Sequence, residues 1–208
     1  MTDKILGSFS FVLHSHLPWV MNHGVWPHGT SCVNEAAAET YLPLLMELYK
    51  LVDDGYSPKL TIGLTPVLCE MLKNSSFKHG FVAYLDEKIE AALHDYDDFT
   101  ENNYGEGRIK LTKWWEEYYE RMRDLFLHRF DRDIVDGFRK LQDDGLIDII
   151  TCGATHGYSP LLSKDTSIDA QFKTGVDNYK KHFGRAPTGV WLPECAYRPG
   201  YRWFEFRA

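Results

Sequence analysis

Short apolar runs alternate with segments of helical periodicity along this chain, and each apolar run is followed at once by turn-forming residues. The runs predict four strands, at residues 7–13, 59–64, 147–151 and 189–192. Strands that alternate with helices, joined by right-handed crossovers, predict a parallel sheet or barrel. The predicted fold class is therefore α/β, with the functional groups gathered at one rim.

The helical segments follow from apolar residues repeated three or four positions apart. A first helix is predicted from Asn34, as its N-cap, to about residue 53. Helices at residues 81–93 and around 114–141 follow, separated by an acidic, Asn- and Gly-rich linker at 95–107. The second strand is expected to end in a proline turn at Pro66, and the last helix, at residues 168–183, is expected to stop at Gly184.

The composition is that of a globular domain, and 208 residues favour a single one. The net charge of -7, without a basic run, argues against nucleic acid or an anionic membrane as a partner. No stretch approaches the ~20 apolar residues of a membrane span, and the first residues are not expected to form a secretory signal. Four widely spaced cysteines without a CxxC pair suit a reducing compartment. We therefore expect a cytoplasmic protein with a neutral or weakly charged ligand.

Aromatic residues make up 14% of the chain, including six Trp and twelve Tyr. A packed core could use them all, but aromatic rings also stack on the apolar faces of sugar rings. An irregular stretch rich in Trp, His, Pro and Gly, which includes Trp26, is expected to form an ordered loop beyond the first strand. The aromatic content is thus compatible both with packing in the hydrophobic core and with a carbohydrate-binding site.

Polar and aromatic side chains follow three of the predicted strands. His14 and His16 come at the end of the first strand, and residues two apart on a strand point to the same side. His156 follows the third strand, and Glu194 follows the fourth, three residues after Trp191. Because ligands bind beyond the carboxyl ends of parallel strands, we expect these side chains to converge.

The residue pattern alone leaves three interpretations of this cluster open. Glu194 could be a nucleophile that attacks an anomeric carbon while the histidines bind sugar hydroxyls, as in retaining glycosidases, which need two carboxyl groups. His14 and His16 could instead be metal ligands, with Glu194 or His156 completing the set, as in metal-dependent amide hydrolases. The histidines could also be buried, hydrogen-bonded groups without a catalytic role.

Five segments of the chain carry the most distinctive motifs: HSHLPW at 14–19, EAAAETYLPLL at 35–45, TIGLTPVL at 61–68, GATHGY at 153–158 and WLPECAY at 191–197. These segments resemble glycoside hydrolase family 57, and within it the 1,4-α-glucan branching enzymes. The resemblance spans nearly the whole chain in the family's order, and WLPECAY is its most specific part.

This resemblance implies a TIM-like, incomplete (β/α)7 barrel, of which the chain holds the first four strands. It implies a retaining transfer in which Glu194 carries the glycosyl group to the 6-hydroxyl of another glucan chain. The implied partner is an α-glucan such as amylose or glycogen, and neither a cofactor nor a metal is expected. The substrate-binding residues implied are His14, His16, Trp26, His156, Tyr158 and Trp191.

The family's general acid is an aspartate on a later strand, and no aspartate here lies in a matching motif. The chain, residues 1–208, is thus expected to be the N-terminal part of a catalytic barrel without its later strands and helical C-terminal domain, and nearly inactive alone. Alternatives within the family are an α-amylase and a 4-α-glucanotransferase. Outside it they are a metal-dependent C–N hydrolase and a non-catalytic glucan-binding protein.

Overall fold

A computed structural model describes residues 7–197 of the chain. These residues form two compact units, the first from residues 7–18, 57–69 and 139–197 and the second from residues 19–56 and 70–138. The α-helices of the described part are α1 Thr30–Ala36, α2 Leu42–Asp53, α3 Pro66–Lys73, α4 Ser75–Glu101, α5 Glu106–Asp124, α6 Ile134–Asp143 and α7 Asp165–Phe183.

The first unit contains a parallel sheet, whose described strands are β1 Val12–Ser15, β2 Leu60–Leu64, β3 Ile147–Cys152 and β4 Val190–Trp191. The strands lie in the order β1-β2-β3-β4. The register pairs His14 with Gly63, and Cys152 with Trp191. This confirms the predicted α/β partial barrel with parallel strands, and it brings the carboxyl ends of the strands to one rim.

Helix α7 packs against β3 in this unit. Ile62 and Ile149, on the neighbouring strands β2 and β3, are fully buried, as expected for central parallel strands. The buried hydroxyl of Tyr179 on α7 lies 2.9 Å from the Ile149 carbonyl oxygen and 2.5 Å from the side-chain oxygen of Gln142, and these two acceptors share its one proton. Gly184 ends α7 in the left-handed conformation, as predicted.

The second unit is helical, and α4 and α5 pack along each other. Its core is strongly aromatic, with Phe77, Phe81 and Phe126 in mutual ring contact. Two π-helical turns interrupt the α-helices, at Ala37–Tyr41 and Leu125–Arg129. Such turns leave backbone carbonyls without their usual partners.

Polar side chains connect the helices of this unit at two places. Tyr118 donates a hydrogen bond to the Ala38 carbonyl oxygen in the first π-helical turn (2.8 Å). Asp133, before the start of α6, accepts from Lys73 and Lys78 and also from the backbone N–H of Asp136. Burial alone would raise the pKa of the Asp133 carboxyl, but these hydrogen bonds outweigh it, and the pKa is lowered.

The predicted first strand at residues 7–13 is wrong in its extent, since β1 is Val12–Ser15. Strand formation requires a paired neighbour, and β2 begins only at Leu60, whose neighbour Thr61 pairs with Val12. Phe9, before the strand, is 89% exposed. Within residues 7–197, the aromatic run therefore has strand propensity but no strand to pair with.

Several helix boundaries also differ from those predicted, and the helix predicted around residues 114–141 is divided between α5 and α6. Asn34 does not cap the first helix but is buried inside α1, which begins at Thr30. The first backbone N–H groups of α1 donate hydrogen bonds to carbonyl oxygens of the preceding loop. The predicted linker at 95–107 is largely helix, because its acidic residues form the polar side of α4, and only four residues separate α4 from α5. Pro66 begins α3 instead of a turn, since the first helical position needs no N–H.

Within residues 7–197, no helix is both long and apolar enough to cross a membrane.

Candidate active site

Five of the predicted site residues lie together at the carboxyl ends of the strands of the first unit. His14 is in β1 and His16 follows it directly. His156 follows β3, Trp191 ends β4, and Glu194 lies in a 3-10 turn, Pro193–Cys195, immediately beyond. Each side chain is thus placed by a parallel strand or by the first residues after it.

Direct contacts connect these side chains. The imidazoles of His16 and His156 stack with a centroid separation of 3.9 Å. His14 Nε2 lies 3.0 Å from His156 Nε2, and the His14 ring also stacks on Trp191 at 5.5 Å. His156 Nδ1 lies 3.7 Å from Glu194 Oε1. The cluster is therefore continuous from β1 to the turn after β4.

The contacts define the preferred tautomers of two histidines. A proton on His156 Nδ1 faces the Glu194 carboxylate favourably, whereas a lone pair there would be repelled. With its one proton on Nδ1, neutral His156 accepts at Nε2, so that His14 donates from its own Nε2. His14 Nδ1 is then a lone pair, and it is buried without a hydrogen-bond partner among residues 7–197.

The surroundings favour uncharged imidazoles. Burial lowers the pKa of His14, and His156 lowers it further, while Glu194 acts in the opposite direction. The pKa of His16 is lowered to about 4, by burial first and then by His156 and His14. Burial also lowers the pKa of His156 against the opposing effect of Glu194. At neutral pH these rings can donate and accept hydrogen bonds, which suits a ligand with many hydroxyl groups.

Glu194 differs from the histidines in exposure and in backbone conformation. Its side chain is 70% exposed, against 4% for His156. Its backbone is left-handed, with φ 55° and ψ 31°, and φ of both Cys195 and His156 is also 55°. Such conformations cost a non-glycine residue about 1–2 kcal/mol, and functional sites are where they concentrate. The turn thus presents an accessible carboxylate beside a buried, neutral imidazole.

The remaining two predicted residues, Tyr158 and Trp26, are not among the side-chain contacts described above. Tyr158 is in the same unit, two residues after His156, and it precedes the short 3-10 helix Ser159–Leu161. Its ring is 43% exposed. Trp26 belongs to the second unit, where it is 81% exposed. The substrate-binding roles of both residues stay predictions.

Sequence reasoning missed the residues that support the cluster. Thr65, directly after β2, contributes Oγ1 at 3.4 Å from His16 Nδ1, and its position at a strand end was a usable signal. Gly63 was less visible, because its role depends on pairing with His14: an added Cβ would lie 3.0 Å from His14 Nδ1. Gln171, in the middle of α7, contacts the segment before His156, and its position gives no hint of this.

No three His, Cys, Asp or Glu side chains between residues 7 and 197 are arranged to hold a metal ion. The Cys152 thiol lies at the end of β3, and burial raises its pKa to about 12. Glu194 is the accessible carboxylate of this cluster, and the neighbouring Cys195 thiol is also exposed.

Parallel strands of a partial barrel, with polar groups collected at their carboxyl ends, define the class of α/β-barrel proteins whose ligands bind at that rim. The family model of glycosyl hydrolase family 57 matches residues 10–202. The chain belongs to this family.

Individual relatives agree with the family match. Over 197 residues, 95% of this chain and 28% of the relative, the chain is 43% identical to a 1,4-alpha-glucan branching enzyme from Thermococcus kodakarensis. A branching enzyme structure from Pyrococcus horikoshii is 43% identical with a TM-score of 0.87, covering 91% of this chain and 35% of that one. An alpha-amylase structure from Thermotoga maritima is 33% identical with a TM-score of 0.82, covering 92% and 36%. The chain thus spans about a third of the length of these relatives.

Proposed function

We propose that the protein containing this chain is a retaining 1,4-α-glucan branching enzyme in which Glu194 is the nucleophile. The observation that carries the proposal is the exposed Glu194 carboxylate, held 3.7 Å from a buried neutral imidazole beyond β4. The similarity to branching enzymes over nearly the whole chain supports the substrate class. The site residues are uncharged apart from Glu194, which suits a neutral glucan.

In the first half of the reaction, a Glu194 oxygen attacks the anomeric carbon of an α-1,4-linked glucose. The bond to the glycosidic oxygen breaks, and that oxygen takes a proton from a general acid, which we expect outside this chain. The result is a covalent glycosyl ester on Glu194. In the second half, the 6-hydroxyl of an acceptor glucan attacks the same carbon, gives its proton to the acid/base residue and displaces the carboxylate.

The other site residues would bind the sugar. His14, His16 and His156 can donate to and accept from hydroxyl groups because they are neutral, and Trp191 and Tyr158 can cover apolar sugar faces. Trp26, in the second unit, is proposed as a further aromatic contact. We also propose a cytoplasmic location, since the four cysteines, all within residues 7–197, form no disulfide.

A second candidate is hydrolysis or glucan transfer of the α-amylase or 4-α-glucanotransferase type. The similarity to an alpha-amylase favours it, since the same nucleophile serves both reactions. The choice between them depends on whether water or a glucan hydroxyl accepts the glycosyl group.

The test is to incubate amylose with the protein encoded by the full open reading frame that contains the chain. The products are then debranched and their chain lengths measured. We expect new α-1,6 linkages, and we expect Glu194→Gln to reduce them to background because an amide cannot form the ester. Glu90→Gln, an exposed position on α4, is the matched control and should keep its activity. Shortened chains without branches would favour the amylase alternative, and equal activity of Glu194→Gln would refute the nucleophile.

A further inference from the structure

Gln171 on α7 makes three hydrogen bonds to the segment between β3 and His156. Its side-chain oxygen accepts from the backbone N–H of Thr155 (2.8 Å), and its side-chain nitrogen donates to Thr155 Oγ1 (2.8 Å). Its own carbonyl oxygen accepts from the N–H of Ala154 (2.9 Å). Because a backbone N–H can only donate, the orientation of the amide is unambiguous. One residue thus holds two successive peptide groups.

These two peptide groups directly precede a strained position. His156 is left-handed, with φ 55°, and its N–H donates to the Gly153 carbonyl oxygen (3.0 Å). A non-glycine residue keeps such a conformation only where its surroundings enforce it. The bonds from Gln171 restrain the residues on the N-terminal side of this turn, while His156 itself is buried.

The direction of the His156 side chain depends on this backbone. Its ring stacks on His16 at 3.9 Å and presents Nδ1 to Glu194 at 3.7 Å. A change of the left-handed φ to an ordinary negative value would swing the Cα–Cβ bond away from both neighbours. The position of the imidazole therefore depends on whatever holds residues 154 and 155.

We propose that Gln171 is a positioning residue of the active site, which fixes the segment before His156 so that its imidazole lies between His16 and Glu194. The kinetic consequence rests on the proposed function, whereas the structural consequence does not. Gln171 acts through His156 and is not expected to touch the substrate.

Gln171→Met keeps the length of the side chain and removes both side-chain hydrogen bonds. Since displacement of a catalytic group by about 1 Å can cost up to about 10²-fold in rate, we expect kcat to fall roughly 10- to 100-fold. Gln171→Glu is the conservative variant, because a carboxylate can accept from the Thr155 N–H and from the Thr155 hydroxyl. We expect it to keep most of the activity. Thr174→Met, at an exposed position of the same helix, controls for the new methionine.

Crystal structures of the wild-type protein and of Gln171→Met supply a readout that needs no turnover. We expect the His16–His156 and His156–Glu194 distances to lengthen in Gln171→Met and to be unchanged in Thr174→Met. If the wild-type protein makes no branches, the proposed function fails while this comparison still decides the role of Gln171. Unchanged distances in Gln171→Met, or a loss of kcat in Gln171→Glu as large as in Gln171→Met, would overturn the proposal.

Discussion

Gly175, on α7, lies against β3, and replacing it with alanine tests how closely the helix is packed onto the sheet. A Cβ at this position would lie 2.2 Å from the carbonyl oxygen of Cys152 and 3.7 Å from Pro66 Cγ. An ordinary carbon–oxygen contact is about 3.3 Å, so α7 would have to move by about 1 Å. The Gly175 carbonyl also accepts a hydrogen bond from the Thr151 hydroxyl (3.2 Å), which resists such movement.

The cost follows from what is displaced. Overpacking a core by a methyl group costs typically about 1–3 kcal/mol, occasionally more. We expect the upper end or beyond, because the obstructing Cys152 oxygen belongs to a central strand and cannot rotate aside. Alanine gains about 1 kcal/mol over glycine in helix propensity, which leaves a net loss of about 2 kcal/mol or more for Gly175→Ala. For a chain of this size this corresponds to a fall in Tm of about 4–8 °C.

Urea denaturation followed by circular dichroism measures this free energy of unfolding. The matched control is Gly80→Ala, the same substitution inside α4, where an added Cβ meets no atom within 4 Å. Gly80→Ala should be neutral or stabilising by up to about 1 kcal/mol, because only the propensity term remains. If Gly175→Ala is as stable as Gly80→Ala, the close packing of α7 on β3 is wrong.

Two further predictions concern ionisable groups. The pKa of His16 is about 4 in the folded chain and 6.5 in the unfolded chain, so on acidification the unfolded chain takes up this proton at a higher pH. The contribution of His16 to the free energy of unfolding is therefore complete above pH 6.5 and is lost as the pH falls toward about 4. Urea midpoints at pH 7 and pH 4.5 should differ less in His16→Gln than in the wild type, and an equal difference would contradict this reasoning. Asp133→Ala should lower the free energy of unfolding by about 1–3 kcal/mol, because it removes the cap at the start of α6 and the ion pairs with Lys73 and Lys78. Asp133→Asn should lower it less, because the amide oxygen can still accept the hydrogen bond of the cap. Identical thermal unfolding of the two Asp133 variants would show that the cap contributes nothing.

The alternation of four strands with helices, and the candidate residues at the strand ends, could be read from the sequence, because both depend on local pattern. A parallel sheet brings the carboxyl ends of its strands to one rim, so His14, His156 and Glu194 were expected together before any coordinate was known. Their proximity required no knowledge of the helices between them.

What the sequence could not supply is non-local or depends on backbone conformation. The start of α1 is set by hydrogen bonds that its first N–H groups donate to a loop, and the extent of β1 is set by its pairing partner. The left-handed backbone conformations of His156 and Glu194 could not be predicted from residue type, because glycine is the residue that usually indicates such a conformation and neither position is a glycine. Gln171 looks like any polar residue of a helix until Thr155 is found beside it.

Helix α7 affects the site in two ways, through its packing on β3 and through the hydrogen bonds of Gln171, and the variants distinguish the two. Gly175 sets the distance between the helix and β3, so its substitution should lower the stability of the whole unit. Gln171 contacts the segment after β3 at an exposed threonine, so its substitution should move His156 with little effect on unfolding. If Gln171→Met lowered the free energy of unfolding as much as Gly175→Ala, the two effects could not be distinguished. Helix α7 would then influence the site only by stabilising the sheet. A large loss of kcat with a nearly unchanged urea midpoint would instead separate the positioning of the imidazole from the stability of the barrel.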